Sequence, residues 1–432
     1  MKNAEGVASG TREGLARRPE GESQRSGNLL PLCLQIRNRI MFNTQCSMFN
    51  KLKIVIYIAI NILFILKYVG RTTINPYYCA SIYAIVCTAV YVLLYKGIKT
   101  EKMARNLFYG LLTCTVAGIL LLLYKVDPMT VRVDRWSATT YFLDGLFEGV
   151  YPYGIHTHVC QSNFPSPFPL WQYINIPFWL MGDVGLGLVA FLLLFVFMIR
   201  WFTNSWKTTV LALILLMLAP CYWWEVLVRS DGLSNAILVF CVILWMEKQK
   251  ISFLNHWVLT AIICGMVAST RLSAIIPMAL YVANSYFKSN ALRMSLSPVI
   301  ALAVLGFFFV PYIFWDTTTW VFFSRNPFMS QSSTGNIWIL LVMAAIALAT
   351  ILLYNKDINR YMRSTAAFVF CFFLAAIYYN HAVRHADIPF FADADFDISY
   401  LTLSLPYCLY SLTIINPKTK DEKHNNITAG IQ

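Results

Sequence analysis

The polar residues of this 432-residue chain stand in a few short clusters between long apolar runs, and some clusters hold side chains that could do chemistry. In Arg132-Val133-Asp134-Arg135 a carboxylate sits between two guanidinium groups. Val228-Arg229-Ser230-Asp231-Gly232 pairs acid and base again, whereas Arg271 in Ser269-Thr270-Arg271-Leu272 has no acidic neighbour in sequence. The stretch 380–397 is the richest, with His381, Arg384, His385, Asp387, Asp393, Asp395 and Asp397. A guanidinium offers a planar fork of donors matched to phosphate oxygens. Charges at membrane depth are costly, so a functional role is their default reading. A carboxylate can take a proton from a hydroxyl group. These types make Asp134 a candidate base and Arg229, Arg271 and Arg384, with Arg135 and His385, candidates for holding phosphate. Asp183, Asp231 and His158 are candidates for acceptor binding or a secondary role.

Each assignment has a plainer rival. Asp134 can pair with Arg132 or Arg135, Arg229 with Asp231 at a helix terminus, and Asp183 can cap the helix that follows it. The histidines and aspartates of 380–397 could bind a sugar or pyrophosphate, hold a divalent metal, or form a solvated loop. They lack the order of a calcium loop, however, and His381 and His385 lack the glutamate of a zinc-protease helix, so neither metal nor cofactor is expected.

The elements that must position these residues are apolar. Hydrophobic residues make up 58% of the chain and charged ones 13%, with a mean hydropathy of +0.57, which suits a bilayer rather than water. The net charge of +13 is spread over short loops with no basic stripe, so nucleic acid is not an expected partner. Runs near the ~20 residues that a spanning helix needs predict about twelve transmembrane helices, at 52–69, 78–96, 106–124, 184–201, 208–226, 233–247, 255–270, 272–287, 296–315, 335–354, 364–380 and 396–415. With a cytoplasmic N-terminus, every inside loop is short and carries Lys or Arg, as the positive-inside rule requires. The opposite face then receives 70–77, 125–183, 228–232, 270–272, 315–336 and 381–400, rich in aromatics, Pro, Asp and isolated Arg. No internal repeat with matched broken helices is visible, which weakens a secondary-transporter reading.

Three regions follow: 1–50, Gly-, Ser- and Arg-rich and expected to be disordered and cytoplasmic; a membrane domain over 51–416 with the outer loop 125–183; and a cytoplasmic tail, 417–432. No secretory signal peptide is seen, and translation starting at Met41 or Met48 suits the pattern as well as Met1 does. Of the eleven cysteines most lie inside apolar runs; Cys160 sits in the long loop, where Cys79 is its one plausible partner. Within that loop the apolar residues of 141–153 recur at helical spacing, as in a helix lying flat on a bilayer. Phe164-Pro165-Ser166-Pro167-Phe168-Pro169 then leads into 170–182, too short to span and expected to be re-entrant or interfacial.

Together these parts resemble multispan glycosyltransferases of the GT-C fold, bacterial and mannosyltransferase-like, which use polyprenyl-phosphate-linked sugars. A carboxylate in the first large outer loop (Asp134), juxtamembrane amphipathic helices (141–150), a Pro-containing segment (165–179), an Arg/Asp turn before a span (Arg229, Asp231) and a Thr-Arg break between two spans (Thr270, Arg271) occur in the order of that family. The likeness covers most of 106–400, and two extra spans precede the one leading to Asp134. It implies an all-α integral membrane protein that transfers a sugar from a polyprenyl-phosphate donor to a glycan, lipid or protein acceptor on the outer face of the cytoplasmic membrane. Asp134 would act as base and the arginines would hold the departing phosphate, whose charge grows in the transition state. A flippase or transporter of a lipid-linked glycan is the alternative from another class. A polysaccharide polymerase or ligase is the other enzymatic one, although the largest outer loop here is early rather than late.

Overall fold

The computed structural model describes residues 53–332, 336–354, 357–385, 387–391 and 396–414, all within the compact unit Leu52–Gln432. The expected regions 1–50 and 417–432, and Asp393 and Asp395, lie outside the described residues. Among the described residues every regular element is a helix. The helices are α1 (53–69), α2 (Pro76–Gly97), α3 (Glu101–Lys125), α4 (Arg135–Glu148), α5 (Pro169–Leu180), α6 (Gly187–Thr203), α7 (Trp206–Met217), α8 (Pro220–Leu227) and α9 (Gly232–Lys248). They continue with α10 (Trp257–Ala268), α11 (Ile275–Phe287), α12 (Ala291–Ile313), α13 (Val321–Ser324), α14 (Pro327–Ser332), α15 (Ile337–Tyr354), α16 (Ile358–Arg384) and α17 (Leu405–Thr413).

Helix starts follow local chemistry. Thr100, Ser205, Asn290 and Asp357 accept backbone N–H groups with their side chains at the beginnings of α3, α7, α12 and α16, the role for which these residue types are favoured. Gly149, at φ +74°, stops α4 in a left-handed cap that costs a glycine little. α10 packs along α12, α3 along α7, and α6 along α9.

Among the described residues five helices are long and apolar enough to cross a membrane: Pro76–Leu94, Glu101–Lys125, Val184–Thr203, Ala291–Ile313 and Ile358–Val383. A sixth results if α7 and α8, bent by 67°, form one broken span. These helices suggest a membrane-embedded protein, but twelve full-length spans are not shown. Hydropathy counts apolar residues and is blind to breaks in the backbone. The run 255–270 forms a helix of only 12 residues, and 396–415 divides into a 3-10 turn, Ile398–Ser404, and the nine-residue α17.

The loops sort to two ends. At one, the Glu101 carboxylate accepts from Ser205 Oγ (3.0 Å) and Trp206 N (2.7 Å), Lys248 reaches Phe202 O, and Arg293 donates to Leu254 O. The basic loops after α2, α6, α9 and α11 therefore meet. At the other end lie the terminus of α3, the long loop that follows it, and the breaks before α9 and α11. The loop helix α4 has a buried and an exposed face. Phe142 and Leu143 are wholly buried in a second core with Tyr153, Phe168, Phe309 and Tyr312, while Phe147 and Val150 stay exposed. α5, at 12 residues, is as short as its sequence implies.

Candidate functional site

The break between α10 and α11 is fixed by the Pro-punctuated segment. Phe168 N donates to Thr270 O (3.0 Å) and Leu170 N to Ser269 O (3.2 Å), so the chain entering α5 docks on the backbone beside Arg271. Gln331, from α14, adds a clasp: its amide oxygen accepts from Leu272 N (2.8 Å) and its nitrogen donates to Ser166 O.

Held in this way, Arg271 stands at the mouth of a cavity of about 700 Å³ between α11, α15 and α16. The walls are almost wholly apolar, among them Ile276, Leu280, Leu340, Met343, Phe368 and Phe372. The polar lining is concentrated in Arg271, Gln331, Asn336, Asn380 and Asp397. A long apolar chamber with a polar mouth takes an amphiphile with its head among the charges.

The ion pairs around this mouth are not those that sequence adjacency implies. Asp134 forms no ion pair with Arg132 or Arg135 among the described residues; instead Asn163 Nδ2 donates to its Oδ2 at 3.1 Å. Arg135 reaches across 262 positions to Asp397 (2.6 Å) and donates to Ser399 Oγ (3.2 Å). Arg229 pairs with Asp183 (2.8 Å) rather than Asp231, and Asp231 with Arg271 (2.5 Å). Arg229 sits in the left-handed region, with φ +49°, at the turn before α9. Its other two nitrogens donate to Val126 O (3.0 Å) and Leu123 O (2.7 Å), at the carboxyl end of α3. Asp183 does cap locally, accepting from Gly185 N at 2.8 Å.

Burial pushes the Arg135 guanidinium down, but Asp397, Tyr400, Asp134 and Asp231 outweigh it and raise it well above its ordinary value. Burial likewise pushes Asp397 up, and Arg135, the hydroxyl and N–H of Ser399, and Lys67 more than offset this, holding it below its usual 3.8. Asp134 is thus one charge away from the cavity: it acts on Arg135, which bonds Asp397, which lines the mouth. His158 braces the same turn, with Nδ1 2.7 Å from Ser137 Oγ and Nε2 3.0 Å from Val131 O.

Asp134, Arg135, Asp231 and Arg271 are therefore brought together, with Arg229 and Asp183 beside them through the turn 229–231. Arg384 is the last residue of α16 and His385 its cap, with His385 N donating to His381 O; the placement of the Arg384 side chain lies outside the described part. Cys79 and Cys160 are free thiols rather than a disulfide. Among the described residues no three His, Cys, Asp or Glu side chains gather as metal ligands. Asn380 and Asp397, from the polar segment 380–397, line the cavity, whereas Glu225, whose charge is felt by Arg135, Asp397 and Asp231, was missed by sequence reasoning. Glu225 is completely buried in α8, with neither carboxylate oxygen hydrogen-bonded. Its signal was present, a lone acid in the run Tyr222-Trp223-Trp224-Glu225-Val226-Leu227. No family model, curated protein or solved structure matches this chain.

Proposed function

We propose that the chain is a membrane glycosyltransferase that takes a sugar from a polyprenyl-phosphate donor at the outer face of the cytoplasmic membrane and passes it to a glycan, lipid or protein acceptor. The observation that carries this reading is the apolar chamber between α11, α15 and α16 with Arg271 at its mouth. An isoprenoid chain matches the walls and a phosphate matches the guanidinium.

Asp134, its Oδ2 steadied by Asn163, takes the proton of the acceptor hydroxyl. The acceptor oxygen forms its bond to the anomeric carbon as the bond from that carbon to the phosphate oxygen breaks. The electron pair of the broken bond leaves with the polyprenyl phosphate, and Arg271 stabilises the added charge. In this reading side chains of the protein carry each of these roles.

The test is transfer by the purified full chain in lipid nanodiscs, with a polyprenyl-phosphate sugar and a mixture of glycan acceptors. Asp134→Asn, which keeps the shape of the side chain but is no base, should lower kcat by about 100-fold or more. Arg271→Gln should lower kcat/KM. Full transfer by both variants would exclude this site, and passage of intact donor across liposomes without transfer would favour the flippase.

A further inference from the structure

Arg271 lines the mouth of the cavity, yet two of its three nitrogens end on a protein carboxylate. Nε (3.1 Å) and Nη2 (2.5 Å) both address a single oxygen, Asp231 Oδ2. A carboxylate committed to arginine ordinarily engages both oxygens in a parallel fork. Here Asp231 Oδ1 is buried without a hydrogen-bond partner, a costly state for a charged oxygen. A donor in the same condition lies one helical turn further on. Asn235 Nδ2 is buried and partnerless, on a residue whose backbone N–H already bonds Asp231 O at 2.9 Å. Asp231 and Asn235 are 8% and 1% exposed, so water does little for either group. The pair is thus half-made on the Arg271 side and has an unused partner on the α9 side.

We propose that Asp231 is a stand-in for phosphate: it occupies the guanidinium edge that a phosphate oxygen takes when a ligand binds, and it is then released to Asn235 Nδ2. This deepens the proposed function and rests on it for the identity of the phosphate as a polyprenyl headgroup. Asp231 is a positioning residue; it keeps Arg271 paired and aimed until a ligand binds, and it sets how much of the binding free energy is spent on displacement. A ligand that must first displace a competitor binds more weakly by the fraction of molecules in which the site is free.

The experiment measures binding of a short polyprenyl phosphate, the matching polyprenol and inorganic phosphate to the full chain in nanodiscs. It compares the unaltered protein with Asp231→Asn, Asn235→Ala and Arg271→Gln. Asp231→Asn should bind polyprenyl phosphate about tenfold tighter and show a larger ligand-induced rise in Tm, with polyprenol binding unchanged. Asn235→Ala should bind it more weakly, because the displaced carboxylate has lost its donor, and this arm decides the matter if Asp231→Asn does not fold. Equal or weaker binding by a folded Asp231→Asn, or unchanged binding by Asn235→Ala, overturns the stand-in. If Arg271→Gln at the same time loses binding, the phosphate site survives that failure; if Arg271→Gln binds normally, the proposed function loses its site. Should inorganic phosphate alone show the variant pattern, the exchange at Arg271 holds and the lipid source is overturned.

Discussion

Arg229 shows how a side chain chosen for chemistry can be bound into structure. Its three donor nitrogens go to Asp183, Val126 O and Leu123 O, which ties the end of α3 to the start of α6 and to the turn before α9. The guanidinium is 3% exposed, and breaking a buried ion pair by removing one partner costs about 3–5 kcal/mol. Arg229→Ala should therefore lower the thermal stability of the detergent-solubilised protein far more than it lowers polyprenyl phosphate binding by the molecules that remain folded. Normal stability with abolished binding would return Arg229 to the role of phosphate clamp. Asp397 gives a pH signature. Its folded pKa lies below the ordinary 3.8, so its contribution to stability is complete above that value and fades as the pH falls through the lower, folded one. Asp397→Asn should reduce stability at neutral pH and remove part of the acid-induced loss below about pH 4, read as Tm across a pH series. An unchanged acid limb would mean that the Arg135 bridge contributes nothing. The candidate residues were legible because isolated charges stand out in an apolar chain. Their pairings were not, since Arg135 and Asp397 are joined only by the folding of everything between them.

Among the elements, α10 and α12 approach closely at a glycine. A Cβ on Gly265 would fall 2.6 Å from Ala301 O and 2.7 Å from Val304 Cβ, so only glycine lets the two backbones meet. The contact lies four residues before Ser269, where the chain breaks to set Arg271 at the cavity. Gly265→Leu should force α10 away from α12, cost about 1–3 kcal/mol and move the break, so that Tm and polyprenyl phosphate affinity fall together. Loss of stability with unaltered affinity would uncouple the helix pair from the site. The existence of most helices was readable from apolar runs, and the cap at Asp183 from its place before one. Their continuity was not: the packing that divides 396–415 into a 3-10 turn and a short helix is tertiary, with nearly every residue from 401 to 413 buried. The Pro segment was likewise visible as a punctuated loop, while its docking on Ser269 and Thr270 depends on backbone groups that have no sequence signature.

For the whole molecule, the separation of loops into two ends turns the positive-inside expectation into a physical test. The basic loops meet through Glu101, Lys248 and Arg293, and the candidate site lies where the opposite helix ends meet. If the basic end is cytoplasmic, the site faces outward, and one native thiol reports it. Cys160 is exposed in the long loop, and its hydrogen bonds with Ser162 lower its pKa, which raises the reactive thiolate fraction. In intact cells a membrane-impermeant maleimide should label the protein at Cys160, and the label should be lost when Cys160→Ser is combined with Cys79→Ser, the other free thiol beside an outer loop. On that double-variant background, Gln249→Cys, an exposed position in the loop between α9 and α10, should be labelled only after the membrane is permeabilised. The reverse pattern would turn the molecule over, put Asp134 and Arg271 on the cytosolic side, and remove the outer-face reaction.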